Sequence, residues 1–135
     1  MAMAVEIRNL FATLAGKALD PAVGIRVEKL SGEEAFSIFG AEIAGGTRLS
    51  PHFHKVGPEI YYIVSGTGRM SLGDCDGEAG ITWKESFPVS QGDCFTVKAG
   101  QVHQLENTGD APLNALFGCP VSHLSTDRTV LSAAR

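Results

Sequence analysis

Three of the four histidines in this chain and one glutamate stand at spacings that could build a metal-ion site. His52 and His54 are one residue apart, and on a β-strand alternate side chains share a face, so the two imidazoles point the same way. Gly57-Pro58 then supplies a turn, and a strand beginning at Glu59 doubles back to set a carboxylate opposite the two rings. His103 brings a third imidazole from another strand. Imidazole and carboxylate are donors for divalent cations, and a charged Glu59 among apolar side chains would be costly without a cation beside it.

The residues framing these four are regular as well. In the first segment, 46–66, Gly46 is followed after five residues by His52-x-His54, then four residues, Glu59, six residues and Gly66. The second, 92–107, carries Gly92, Gly100, His103 and Asn107. Together they resemble the two motifs of the cupin superfamily. One position departs: Lys98 stands where the family usually has proline, so the turn before His103 lacks the φ restraint a proline would give. The resemblance implies an all-β, single-domain cupin jelly-roll β-barrel with little helix, spanning residues 1–135. It also implies one divalent transition metal inside the barrel, held by His52, His54, Glu59 and His103.

This donor set suits Zn, Fe, Ni, Cu or, with its oxygen, Mn, and the spacing does not choose among them. Four protein ligands on a metal that prefers six leave two positions for a substrate, dioxygen or water. Tyr61 shares the parity of Glu59 and faces inward on a regular strand. It either donates to a bound substrate or acts as acid or base, or it simply fills the pocket. A small metalloenzyme acting on a small polar molecule, as a dioxygenase, isomerase, epimerase or lyase, is the favoured reading. The alternative is a metal-dependent binding or sensing module without turnover.

The scaffold these residues require is legible in short alternating runs. Strands are expected at residues 25–30, 48–54, 59–65, 68–72, 86–89, 94–97, 102–106 and 113–118, separated by turns rich in Gly, Pro, Asn and Asp. Ser31 to Glu34 reads as a turn rather than a helix cap, and residues 73–85 as the longest loop between the motifs. Residues 5–20 fit a short helix or a strand with loop, and their face could cap a barrel end. Asn107 is expected to hold a turn, Cys94 to be a small core residue, and Arg48 to be exposed because Pro51 breaks the alternation before His52. His123 is expected to be a solvated tail histidine rather than a cover for the barrel mouth or a dimer contact.

Composition narrows the function further. A 135-residue chain that is 44% hydrophobic and 19% charged suits one folded domain. A net charge of -4 gives no basic footprint, so nucleic acid is not an expected partner. Three widely spaced cysteines without a Cys-x-x-Cys pair suit reduced thiols in a cytoplasm. No apolar run approaches the roughly 20 residues of a membrane helix, and the N-terminus makes a poor signal peptide. Small cupins similar to this chain usually pair, which implies a homodimer with its edge strands covered.

Overall fold

Runs of β-branched and aromatic residues between glycine-bearing turns become ten strands in the computed structural model, which describes residues 5–21, 23–77 and 80–132. They are β1 (Arg26–Glu33), β2 (Phe36–Ile43), β3 (His52–Phe53), β4 (Glu59–Ser65), β5 (Thr67–Cys75), β6 (Ile81–Ser90), β7 (Cys94–Val97), β8 (Val102–Asn107), β9 (Leu113–Cys119) and β10 (Thr129–Val130). Every pairing is antiparallel. One sheet runs β1-β2-β9-β4-β7 and the other β10-β3-β8-β5-β6, so the two form the layers of a jelly roll.

The inward faces supply one apolar core. On β4, Glu59, Tyr61 and Ile63 are buried while Ile60 and Tyr62 face out, the period-2 pattern of a strand with one wet face. Ile63, Met70 and Leu113 are fully buried between the layers, with Phe39 stacked on Phe117 at 5.3 Å. Burying side chains of this size contributes roughly 1.5–3 kcal/mol each. The expected alternation therefore holds where one face is dry.

Several expectations need correction. The strand expected over 48–54 is reduced to His52–Phe53: Pro51 offers no N–H to the ladder, and Arg48 makes only an isolated bridge to Glu106. Residues 73–85 are mostly strand rather than loop, since β5 runs on to Cys75 and β6 begins at Ile81; residues 78 and 79 lie outside the described residues. Their polarity has a simple cause. β6 is an edge strand whose side chains are exposed on most of its length.

Cys94 is exposed, not core: it pairs with the outward Tyr62, which turns Phe95 and Val97 inward in its place. The turn between β1 and β2 falls at Glu34-Ala35, so the strands extend through most of the residues expected to bend. Residues Leu10–Leu14 settle as a helix, α1, capped by the Asn9 carboxamide oxygen, which accepts from the N–H groups of Phe11 and Ala12 at 3.0 Å. The helix lies against β1 and β2, with Leu10 seated over Gly40 where any Cβ would collide with it.

Candidate metal centre

Four side chains from two sheets and a connecting loop meet inside the barrel. His52 sits on β3 directly across from His103 on β8, and His54 follows β3 as the chain leaves the ladder. Glu59 opens β4 in the opposite sheet. One ligand atom from each of His52, His54, Glu59 and His103 lies within 4.8 Å of the others, and all four residues are buried. The structure thus brings together all four residues singled out by spacing.

Local hydrogen bonds aim each ring. His52 Nδ1 lies 3.1 Å from the Ser50 carbonyl, His54 Nδ1 2.6 Å from that of Asp127, and His103 Nδ1 3.3 Å from that of Gln101. A carbonyl only accepts, so each Nδ1 carries the proton and each Nε2 presents its lone pair. The Nε2 atoms of His54 and His103 are buried with no hydrogen-bond partner, although they stand 3.2 and 3.6 Å from oxygens of Glu59. Lone pairs crowded on a carboxylate need a positive charge between them. A divalent ion provides one to all four groups at once, so these residues fit a metal.

Electrostatics agree with that fit. Burial, followed by neighbouring His103, pushes His52 down from 6.5 to about 3, which keeps it a neutral, ligand-ready imidazole. Burial raises Glu59, but ring N–H groups of His103, His123 and His54 aimed at it would outweigh burial and hold the carboxyl well below the usual range; with His54 and His103 protonated at Nδ1, His123 alone donates and a cation must take the place of the other two. Tyr61 is driven well above its ordinary value, first by burial and then by Glu59, so it keeps its proton.

His52 has a consequence for acid stability. Its folded pKa lies below its unfolded value, so the unfolded chain binds more protons between the two and stability falls as pH drops through that window. His52 by itself should cost metal-free protein about 3 kcal/mol between pH of about 6.5 and about 4. Urea melts at the two pH values check this, and His52→Gln should flatten the dependence; equal slopes in parent and variant would contradict it.

Two residues that spacing did not reveal complete the surroundings. His123 is 1% exposed rather than solvated, because the 3-10 turn Val121–Leu124 folds back under the loop after His54. Its Nδ1 donates to Glu59 Oε2 at 3.0 Å and its Nε2 to the Val56 carbonyl at 2.5 Å. With Glu59 and Cys119 it forms a second potential donor group, but both of its nitrogens already donate, so it has no lone pair for an ion. Arg128 lines the cavity beside the cluster and pairs with Asp20 at 2.7 Å. The apolar neighbours Val121 and Leu124 were the local sign that this segment packs.

The remaining singled-out residues are placed as follows. Arg48 is exposed and pairs with Glu106 at 3.6 Å on the outer side of its sheet, so it contributes no charge to the cavity. Asn107 ties a turn, donating to the carbonyls of Ile43 and Ala111 and accepting from Gly109 N–H. The Lys98 turn is closed without proline: Lys98 N–H donates to the Gln101 side chain at 2.8 Å and Gln101 N–H returns to the Lys98 carbonyl at 3.1 Å. Proline there could not make the first of these bonds.

Two antiparallel sheets closed over a buried histidine and carboxylate cluster define a double-stranded β-helix with a possible metal site. Residues 41–119 match the cupin domain family, more than half of the chain, and the chain belongs to that family. An uncharacterised protein of Methanocaldococcus jannaschii is 32% identical over 93 residues, 67% of this chain and 66% of that protein, so the match spans just under two thirds of the relative. Among solved structures, a conserved double-stranded β-helix protein of Klebsiella pneumoniae superposes with a TM-score of 0.68 at 16% identity, covering 96% of this chain and 99% of that one. The oxalate decarboxylase of Bacillus subtilis, which has Mn(II) centres, superposes with a TM-score of 0.63 at 21% identity over 81% of this chain and 28% of that one. No helix among the described residues is long and apolar enough to cross a membrane.

Proposed function

We propose that this cupin is a small metalloenzyme that acts on a small molecule bound at one divalent transition metal, Fe, Mn, Zn or Ni, held by His52, His54, Glu59 and His103. One observation carries the reading: three Nδ1–H groups committed to backbone carbonyls leave Nε2 lone pairs turned toward an ionised carboxylate, two of them buried and unpartnered. The metal, when bound, would serve as a Lewis acid or lower the pKa of a bound water.

The chain's own residues supply the rest. Val23, Ile43, Leu49, Leu105 and Phe117 give the cavity apolar walls, so a substrate would be held chiefly by an oxygen-bearing head at the metal. Tyr61, protonated and buried beside Glu59, is positioned to donate a hydrogen bond to that head.

A second reading, a binding or sensing module without turnover, is favoured by the tightness of the site: the cavity has room for about 20 Å³, roughly one water. The same proposal takes the chain as one domain, dimeric and cytoplasmic. Exposed Phe36, Ile60 and Tyr62 on the outer face of the first sheet support pairing, and three free cysteines support a reducing compartment.

The test is elemental analysis of protein purified without added metal, followed by oxygen-uptake and turnover screens on small hydroxy, thiol and diketone compounds. Stoichiometric iron with oxygen consumption would assign an oxygenase, and zinc or nickel with turnover but no oxygen use an isomerase or lyase. Metal without any turnover would leave the binding reading. Protein that neither contains nor takes up metal would end both.

A further inference from the structure

The tail segment Val121–Asp127 belongs to neither motif, yet it touches two of the four candidate ligands. We propose that His123 is a positioning residue for the metal centre, occupying one oxygen of Glu59 so that the carboxylate offers the other to the ion. This rests on the metal-binding reading and adds a determinant of that site's geometry.

The argument begins with the partners of the ring. Glu59 Oε2 and the Val56 carbonyl oxygen are both acceptors, at 3.0 and 2.5 Å, so both ring nitrogens of His123 donate. The imidazole is therefore a rigid strut between the carboxylate on β4 and the loop that follows His54. It is held flat against His54, with ring centroids 4.1 Å apart and planes 1° from parallel. No alternative orientation keeps both bonds. Glu59 Oε2 is thus engaged by a charge-assisted bond, although it also stands 3.2 Å from His54 Nε2, while Oε1 lies toward His103 at 3.6 Å and takes no bond from His123.

Four residues further on, Asp127 fastens the same strap. Its carboxylate accepts from Lys55 N–H at 2.7 Å and Val56 N–H at 2.9 Å, and its backbone carbonyl accepts from His54 Nδ1 at 2.6 Å. One segment thereby sets both the tautomer of His54 and the rotation of Glu59. Partners of this kind, one step removed from the ion, typically change metal affinity roughly 10- to 100-fold when removed.

The experiment compares the parent with His123→Leu, which keeps apolar bulk without a donor, and His123→Gln, whose amide can donate to the carboxylate. Mn²⁺ affinity by calorimetry and the Mn²⁺ electron paramagnetic resonance spectrum are read on each, with metal-free melting as the control for folding. The leucine variant should bind Mn²⁺ roughly 10- to 100-fold more weakly with an altered zero-field splitting, and the glutamine variant should recover most of both. A folded leucine variant that binds as tightly as the parent, with the parent spectrum, would overturn the proposal.

If the leucine variant does not fold, infrared difference spectra of the parent on Mn²⁺ binding decide. A wide splitting of the carboxylate stretches, the signature of one-oxygen ligation, supports the strut, and the narrow splitting of a chelating carboxylate overturns it. A parent that binds no Mn²⁺ or other divalent metal fails the centre itself, and the proposal falls with it.

Discussion

Protein stripped with EDTA and then given Mn²⁺ or Zn²⁺ in large excess over its dissociation constant should melt on the order of 10 °C higher than the stripped form. An ion that binds only the folded state contributes about 4 kcal/mol at roughly a thousand times its dissociation constant, and the unfolding entropy of a chain this size converts that into such a shift. The effect is expected to be large because the unfolded chain has no preformed site: His52 and His103 belong to one sheet and Glu59 to the other. His103→Ala should abolish the shift, since it deletes one of the four clustered donors, one whose Nε2 has no other partner. Scanning calorimetry with and without metal is the measurement, and coincident melting curves for stripped and loaded parent would count decisively against a metal site.

Asn107→Ala should cost roughly 3 kcal/mol, independent of metal. The side chain is 1% exposed and satisfies three backbone groups: the carbonyls of Ile43 at 2.9 Å and Ala111 at 2.8 Å, and Gly109 N–H at 2.9 Å. These bonds close the turn from β8 into β9 and join it to the end of β2. Alanine leaves them buried and unpaired, at about 1 kcal/mol or more each. Urea denaturation of the metal-free variant measures the loss. An unchanged midpoint would mean that water or a relaxed turn replaces the amide, and Asn107 would lose its structural role.

The strand pattern was legible where burial is one-sided. β4 and β7 begin and end where alternation in the sequence sets them, because Glu59, Tyr61, Ile63 and Val97 all face the dry interior. It failed at β6, which is an edge strand with Val89 its only buried residue, so there was little apolar period to detect. It failed also at Cys94, where an apolar run offered two possible phases and the neighbour Tyr62 decided between them.

The donor residues were visible because each pair of spacings is local to a strand and its turn. His123 was not, since its partner Glu59 is 64 residues away and the tail meets β3 and β4 only once both sheets have formed. The tightness of the Lys98 turn was hidden for a related reason. A side-chain acceptor three residues on, Gln101, does the work that proline's ring would do, and a motif comparison registers only the missing proline.

The division of the donors between two layers has a kinetic consequence. An ion held from both sides of a sandwich would be released more readily whenever the layers move apart, so its escape would be coupled to breathing of the β-structure as well as to exchange of single ligands. Dissociation would then be slow, steeply temperature-dependent and accelerated by dilute denaturant. Protection of the β4 and β8 amides against deuterium should rise together on loading.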